Sequence, residues 1–204
     1  MSVRSRWRTS PRNFGRLVAG LWLFGTGEGL LVASELGNTP WTVLSEGVSN
    51  HTPLSIGVAT IAISGAVLLA WIPLRQQPGL GTLMNALLIG IAIDVTLALV
   101  GDDLPLLVRW LAMLAGIALV AIGSGFYLGA HLGPGPRDGL MTGLHRVTGR
   151  PVRVTRTVVE IAALTAGWLL GGTVGIGTLL FAVAIGPAVA LALRHMSAVP
   201  AHEL

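Results

Sequence analysis

The sequence predicts an all-α membrane protein: six transmembrane helices in two inverted three-helix repeats, each with a short amphipathic or re-entrant helix after its first span. Three observations predict it. The 204 residues are 52% hydrophobic and 11% charged, with a mean hydropathy of +0.75; soluble domains carry about 25% charged residues. Apolar runs of about 20 residues occur six times. Residues 27–90 also align on residues 123–186 without a gap.

The six runs are 14–34, 54–74, 81–100, 106–130, 152–171 and 174–194. A helix rises 1.5 Å per residue, so about 20 residues cross a hydrocarbon core of roughly 30 Å. Lipid cannot satisfy an open backbone, so each run is expected to be helical. The chain then divides into a cytoplasmic Arg-rich N-terminus (1–13), repeat 1 (14–100) and an outer turn (101–105). Repeat 2 (106–194) and a cytoplasmic tail (195–204) complete it.

Arginine orients the spans. Arg4, Arg6, Arg8, Arg12 and Arg16 lie at or near the N-terminus, whereas the segment 35–53 has Glu35 and Glu46 and no Arg. Arg75 follows span 2, and the next turn, GDDLP, is acidic. Arg137, Arg146, Arg150 and Arg153 follow span 4, with Arg156 just inside span 5. The GGTVG turn is uncharged, and Arg194 ends span 6. This alternation places both termini in the cytoplasm of a bacterial inner membrane. Arg109 is the misfit, and Asp102 or Asp103 is its expected partner. Span 1 is read as a retained helix, since no A-x-A site follows its basic and apolar regions.

The repeat has an offset of 96, with about 20 of 64 aligned positions identical. Gly27/Gly123, Gly37/Gly133, Pro40/Pro136, Gly47/Gly143 and Gly79/Gly175 are among the matches. Three spans per copy is an odd number, so the second copy enters from the opposite face. That inversion is frequent in secondary transporters, whose sites lie near the midplane between repeats.

LGNTPWTVLSEG (36–47) and LGPGPRDGLMTG (132–143) are equivalent corners of the two copies. Gly37 suits a helix C-cap. Thr39 then caps a new helix with Pro40 in its first position. The short helices are expected near 40–49 and 136–146, each too short to span. Two placements stay open. Each helix lies flat at the interface, with Trp41 in the aromatic belt, or dips inward with its positive end facing a cavity.

Ionisable groups inside spans are costly and usually functional. Glu28, in GTGEGLL, is aligned with Ser124, so the position is polar in both copies. Asp94 lies in span 3, as does Asn85. Arg156 and Glu160 are four residues apart, the spacing of a structural ion pair on one helix face. Gly25-xxx-Gly29, Gly125-xxx-Gly129 and Gly167-xxx-Gly171 read as close helix packing, within the monomer or in a dimer.

The sequence excludes several classes. Without cysteine there is no disulfide or thiolate chemistry. His51, His131, His145, His195 and His202 are scattered without metal-ligand spacing. The sequence contains no H-E-x-x-H, G-x-S-x-G or clear acid–base pair, so neither an enzyme nor a cofactor is expected. A pI near 11.3 reflects 13 Arg and no Lys. No basic patch is interleaved with aromatics, so no nucleic-acid partner is expected.

LGNTPWTVLSEG, WIPLRQQPGLGTLMNALLIGIAIDV, GAHLGPGPRDGLMTGL and GGTVGIGTLLFAVAIGP resemble YczE-type bacterial integral membrane proteins, relatives of the YitT family. The resemblance covers about Gly27 to Pro187 and implies a multi-span inner-membrane fold, without a substrate or catalytic residue. The resemblance implies that an acid often follows Pro-Trp in related copies; here Thr42 stands there, and Asp138 takes the aligned place in the second copy.

The expected function is a transporter or flippase-like carrier of a small solute or lipid headgroup, with an anion favoured by Arg137 and by the ends of the short helices. Glu28, Asn38, Thr39, Trp41, Asp94, Arg137 and Asp138 are the candidate ligand-binding residues, and Glu28 is the candidate proton carrier. The alternative is a membrane scaffold or accessory subunit that recruits a partner enzyme through the Arg-rich segment 131–153. Expected partners are the bilayer, the solute or headgroup, and a second copy or another membrane protein.

Overall fold

A computed structural model describes residues 6–101 and 103–196. The described residues form eight helices: α1 (Pro11–Ser34), α2 (Pro40–Asn50), α3 (Ile56–Ala70), α4 (Leu80–Val100), α5 (Leu106–Leu128), α6 (Pro136–Thr148), α7 (Val152–Leu169) and α8 (Ile176–Met196). Residues 1–5 of the expected N-terminal segment and 197–204 of the expected tail lie outside them, as does Asp102.

Four helices, α1, α4, α5 and α8, are long and apolar enough to cross a membrane. The other two expected spans fall short of that measure for different reasons. At 15 residues, α3 reaches only about 22 Å, because the chain turns at Trp71–Arg75. Arg153, Arg156 and Glu160 are carried in the first half of α7. The short helices fall where the Pro and Gly punctuation puts them. Thr39 caps α2, accepting from the Thr42 N–H at 3.4 Å, with Pro40 first in the helix. Gly37 and Gly133 adopt φ of 117° and 114°, a region that a side chain rarely enters.

α1 and α5 form the central antiparallel pair. A Cβ on Gly20 would sit 2.8 Å from the Gly123 carbonyl, and one on Gly27 would sit 2.6 Å from that of Gly116. The backbones therefore touch at both crossings, which is how small residues hold helices together where lipid supplies no hydrophobic drive. The members of these contacts differ by 96: Gly20 with Gly116, and Gly27 with Gly123. α4 packs on α1 and α8 on α5, while α2 lies against α7 and α6 against α3.

Gly25 and Gly29 pack within the chain, facing Ile89 and Thr96 of α4. Gly167 faces the backbone of Val43 and Leu44 in α2. The core on one side gathers Leu17, Leu21, Ile89, Ile93 and Tyr127; on the other, it gathers Leu31, Met113 and Ile117. Outward, Leu69, Leu99, Leu107, Leu111, Leu179, Val183 and Leu191 are exposed. So much apolar surface on long helices fits a lipid solvent.

Of the two acids expected to pair with Arg109, Asp102 lies outside the described residues, and Asp103 of the preceding turn forms no ion pair with it. The Arg109 Nη1 lies 2.5 Å from Glu35 of the α1–α2 corner, and its Nε donates to the Leu104 carbonyl at 2.8 Å. The packing of α5 beside α1 brings this distant acid within reach of Arg109.

Candidate functional site

The N-terminal ends of α2 and α6 converge on one cavity of about 230 Å³. At roughly 30 Å³ per water, it has room for about eight waters or a small molecule of like volume. Each short helix enters from a Gly-punctuated corner. Its start is buried and its far end, near His51 and Gly149, is exposed. Thr39, Pro40 and Trp41 line the cavity from α2; Gly135, Arg137, Asp138 and Met141 line it from α6. Phe24 and Glu28 of α1, Asn85 and Ile89 of α4, and Val120, Ser124 and Tyr127 of α5 add to the walls, which α7 and α8 close.

Glu28 is the centre of the polar network. It is 1% exposed and accepts from the Thr39 hydroxyl at 3.0 Å and from the Thr42 hydroxyl. Thr39 and Thr42 are the N-cap and the third residue of α2. The carboxylate therefore occupies the positive end of that helix, where an anion is stabilised. The Asp138 carboxylate belongs to the first turn of α6. Tyr127 Oη donates to Asp138 Oδ2 at 3.0 Å and accepts from the Gly135 N–H at 2.6 Å. The expectation that free helix ends would attract an external anion is altered here: the chain's own carboxylates sit at both.

Arg137 lies between these acids. Its Nη1 is 4.0 Å from Glu28 Oε1, and its guanidinium carbon is 5.1 Å from the centre of the Trp41 ring. That is cation–π distance. Among the described residues the guanidinium makes no hydrogen bond. The Trp41 Nε1–H is likewise buried without a hydrogen-bond partner. Arg156 and Glu160 form the expected pair at 2.9 Å, and both also line the cavity.

Five of the seven candidate residues therefore meet at the cavity: Glu28, Thr39, Trp41, Arg137 and Asp138. Two do not. Asp94 caps α3, accepting from the Ser55 hydroxyl at 2.5 Å and the Gly57 N–H at 2.8 Å. A carboxylate at a helix N-terminus answers the orphan donors there, so Asp94 joins α4 to α3. Asn38 is turned toward a buckle at the other end of the corner: its Nδ2 donates to Glu46 at 2.8 Å. Glu46 also accepts from the Thr173 N–H and hydroxyl, both at 2.7 Å, and fastens α2 to the α7–α8 turn.

Sequence reasoning did not select Tyr127 or Asn85 for the site. Tyr127 is the chain's single tyrosine, buried within an apolar helix. Since a buried tyrosine hydroxyl needs a partner, its position eight residues before Gly135 was the available signal. Asn85 was legible as a polar residue in a span, but nothing local distinguishes a site amide from a packing one.

A helical integral membrane protein with a partly open, charged cavity between its helices is the class that fold and site define. Residues 12–194 match the family of unknown function DUF6198. An uncharacterised protein of Haemophilus influenzae is 41% identical over 98% of this chain and 91% of its own length. The uncharacterised membrane protein YczE of Bacillus subtilis is 34% identical over 82% of this chain and 79% of its own. YyaS of the same organism, also uncharacterised, is 30% identical over 79% and 82%. The chain belongs to this YczE-type family. No solved structure matches it.

Proposed function

We propose that the chain is a non-enzymatic carrier in the bacterial inner membrane that binds a small solute or lipid headgroup at a central site between two inverted repeats. The carrying observation is the cavity itself. It touches Glu28 and both punctuated corners, where a scaffold would need only a packed interior.

Paired contacts support the repeat reading. The Gly81 N–H donates to the Leu132 carbonyl at 2.8 Å, and the Gly177 N–H to that of Leu36 at 2.7 Å. Gly139 abuts Trp71, as Gly167 abuts Val43. Adding 96 to one partner and subtracting it from the other converts each contact into its mate, as in an isologous interface. With α1 and α5 antiparallel, the relating axis is perpendicular to the spans. That fits six crossings, with α3 and α7 as the short or charged ones, two re-entrant helices and both termini cytoplasmic.

Glu28 and Arg137 are the coupling pair in this reading. Protonation of Glu28 would release Arg137 to the ligand and loosen the α2 end. The scaffold alternative loses support at its proposed docking surface: Arg146 points back into the chain, donating to the Leu74 and Arg75 carbonyls at 2.5 and 3.0 Å.

Proteoliposomes on solid-supported electrodes would be challenged with amino acids, phosphoethanolamine, simple carboxylates and amines. A fluorescent-lipid scrambling assay covers headgroups. The expected outcome is a current or lipid flux that disappears in Arg137→Gln. Silence across both assays, with correctly inserted protein, would refute the carrier.

A further inference from the structure

We infer that the cavity takes a zwitterion, a small group bearing one carboxylate or phosphate and one ammonium, with the oxyanion on Arg137 and the ammonium on Asp138. This deepens the carrier reading and rests on the same cavity being a ligand site.

The charges around the cavity decide between ligand classes. Arg156 and Glu160 are paired at 2.9 Å and neutralise one another. Arg137 stands beside Glu28 at 4.0 Å, and that carboxylate is already held by two threonine hydroxyls. Asp138 then remains as the carboxylate without a cation of its own. One of its oxygens accepts from Tyr127; the other has no hydrogen-bond partner among the described residues.

Arg137 also has unused capacity. A guanidinium carries five N–H donors in a planar fork suited to carboxylate or phosphate, and none of these is hydrogen-bonded to a described residue. Among the described residues the Asn85 amide has no hydrogen-bond partner; it lines the same cavity, close to Gly135 of the α6 start.

A simple anion would fill the fork but add negative charge beside Asp138 and Glu28. A simple cation would answer Asp138 and leave the fork empty. The Arg137 side chain is only 22% exposed, so N–H donors left there without an acceptor are costly; Asp138 is exposed and draws a cation by its charge alone. A zwitterion answers both at no net charge. Arg137 and Asp138 both line the cavity from the first turn of α6, within reach of one small ligand. A cavity of about 230 Å³ admits an amino acid or a phosphoethanolamine headgroup, but not a drug-sized molecule.

Isothermal titration of the purified full chain in neutral detergent tests this with matched probes. The free-solute arm compares L-alanine, propionate and ethylamine. The headgroup arm compares glycerophosphoethanolamine, a phosphodiester with no net charge, with dimethyl phosphate and ethanolamine. Dihexanoyl phosphatidylethanolamine against its phosphatidylglycerol counterpart tells lipid from free solute. The zwitterion of at least one arm should bind at least tenfold tighter than both its partial analogues. Asp138→Asn should reduce its advantage over the anion to under threefold, Asp138→Glu should retain it, and Arg137→Gln should abolish binding.

Equal affinity for the anion alone, tighter binding of the amine alone, or no binding by any probe overturns the inference. The wild-type comparison decides even if a variant fails to fold. Binding without flux would retire the carrier and leave the ligand class standing. Flux of simple anions would do the reverse.

Discussion

Replacing Glu28 with Leu removes the one carboxylate that both threonine hydroxyls and Arg137 share. Three losses can be sized. Two hydrogen bonds to a charged acceptor disappear, each contributing about 1.5–3 kcal/mol when intact. Arg137 loses its nearest carboxylate; removing one partner of a buried pair costs about 3–5 kcal/mol. Arg137 is 22% exposed and its separation from Glu28 is a loose 4.0 Å, so the lower part of each range applies. Because the losses overlap at one carboxylate, the expected net destabilisation is about 3 kcal/mol. For a chain of this size that lowers Tm by roughly 6–12 °C.

The companion variant Arg137→Leu should also destabilise. The double variant Glu28→Leu/Arg137→Leu should be less destabilised than the sum, because it leaves no charge unanswered. Thermal unfolding of all four proteins in one detergent gives the cycle. A coupling of about 1 kcal/mol or more is expected. Additivity within about 0.5 kcal/mol would mean that Glu28 and Arg137 do not sense each other, and the coupling-pair argument would fail.

Three further outcomes follow from the packing. Gly27→Val should destabilise by about 1–3 kcal/mol, because its Cβ would meet the Gly116 carbonyl at 2.6 Å, whereas Gly65→Ala, with open space around it, should leave Tm within a degree or two. Glu46→Ala should speed hydrogen exchange across residues 171–175, since the Thr173 N–H and hydroxyl lose their acceptor; unchanged exchange there would refute the buckle. Asp94→Ala should lower stability by about 1 kcal/mol, as a lost helix cap does, without altering affinity for any cavity ligand. A loss of affinity greater than threefold would return Asp94 to the site.

The helices were legible because lipid imposes a length and a composition that few other structures share, and because Pro40, Pro136, Gly37 and Gly133 punctuate the chain at the corners. Gly27 and Gly123, matched at the 96-residue offset, both fall at backbone crossings of α1 and α5, where a Cβ would meet a carbonyl. Side-chain partners were less accessible. Arg109 was matched to the acids nearest in sequence, yet α1–α5 packing gave it Glu35, 74 positions away. Asp94 carried the same hydropathy signal as Glu28; whether such a carboxylate faces a cavity or a helix start depends on the register between α4 and α3. Asn38 and Thr39 are neighbours in one corner, and the turn between them sends one to the buckle and the other to the cavity. Thr42, aligned with the acid Asp138 of the second copy, instead donates to an acid.

The absence of cysteine makes the carrier claim directly measurable. Ser124 lines the cavity with a small, uncharged side chain whose hydroxyl donates only to the Val120 carbonyl of its own helix. Ser124→Cys can therefore be probed with a membrane-impermeant thiol reagent in right-side-out and inverted vesicles. A carrier with a central site exposes that thiol to each face in turn, so labelling is expected from both sides and should slow when a bound ligand occupies the cavity. Labelling confined to one face, or to neither, in vesicles of verified orientation would contradict the account.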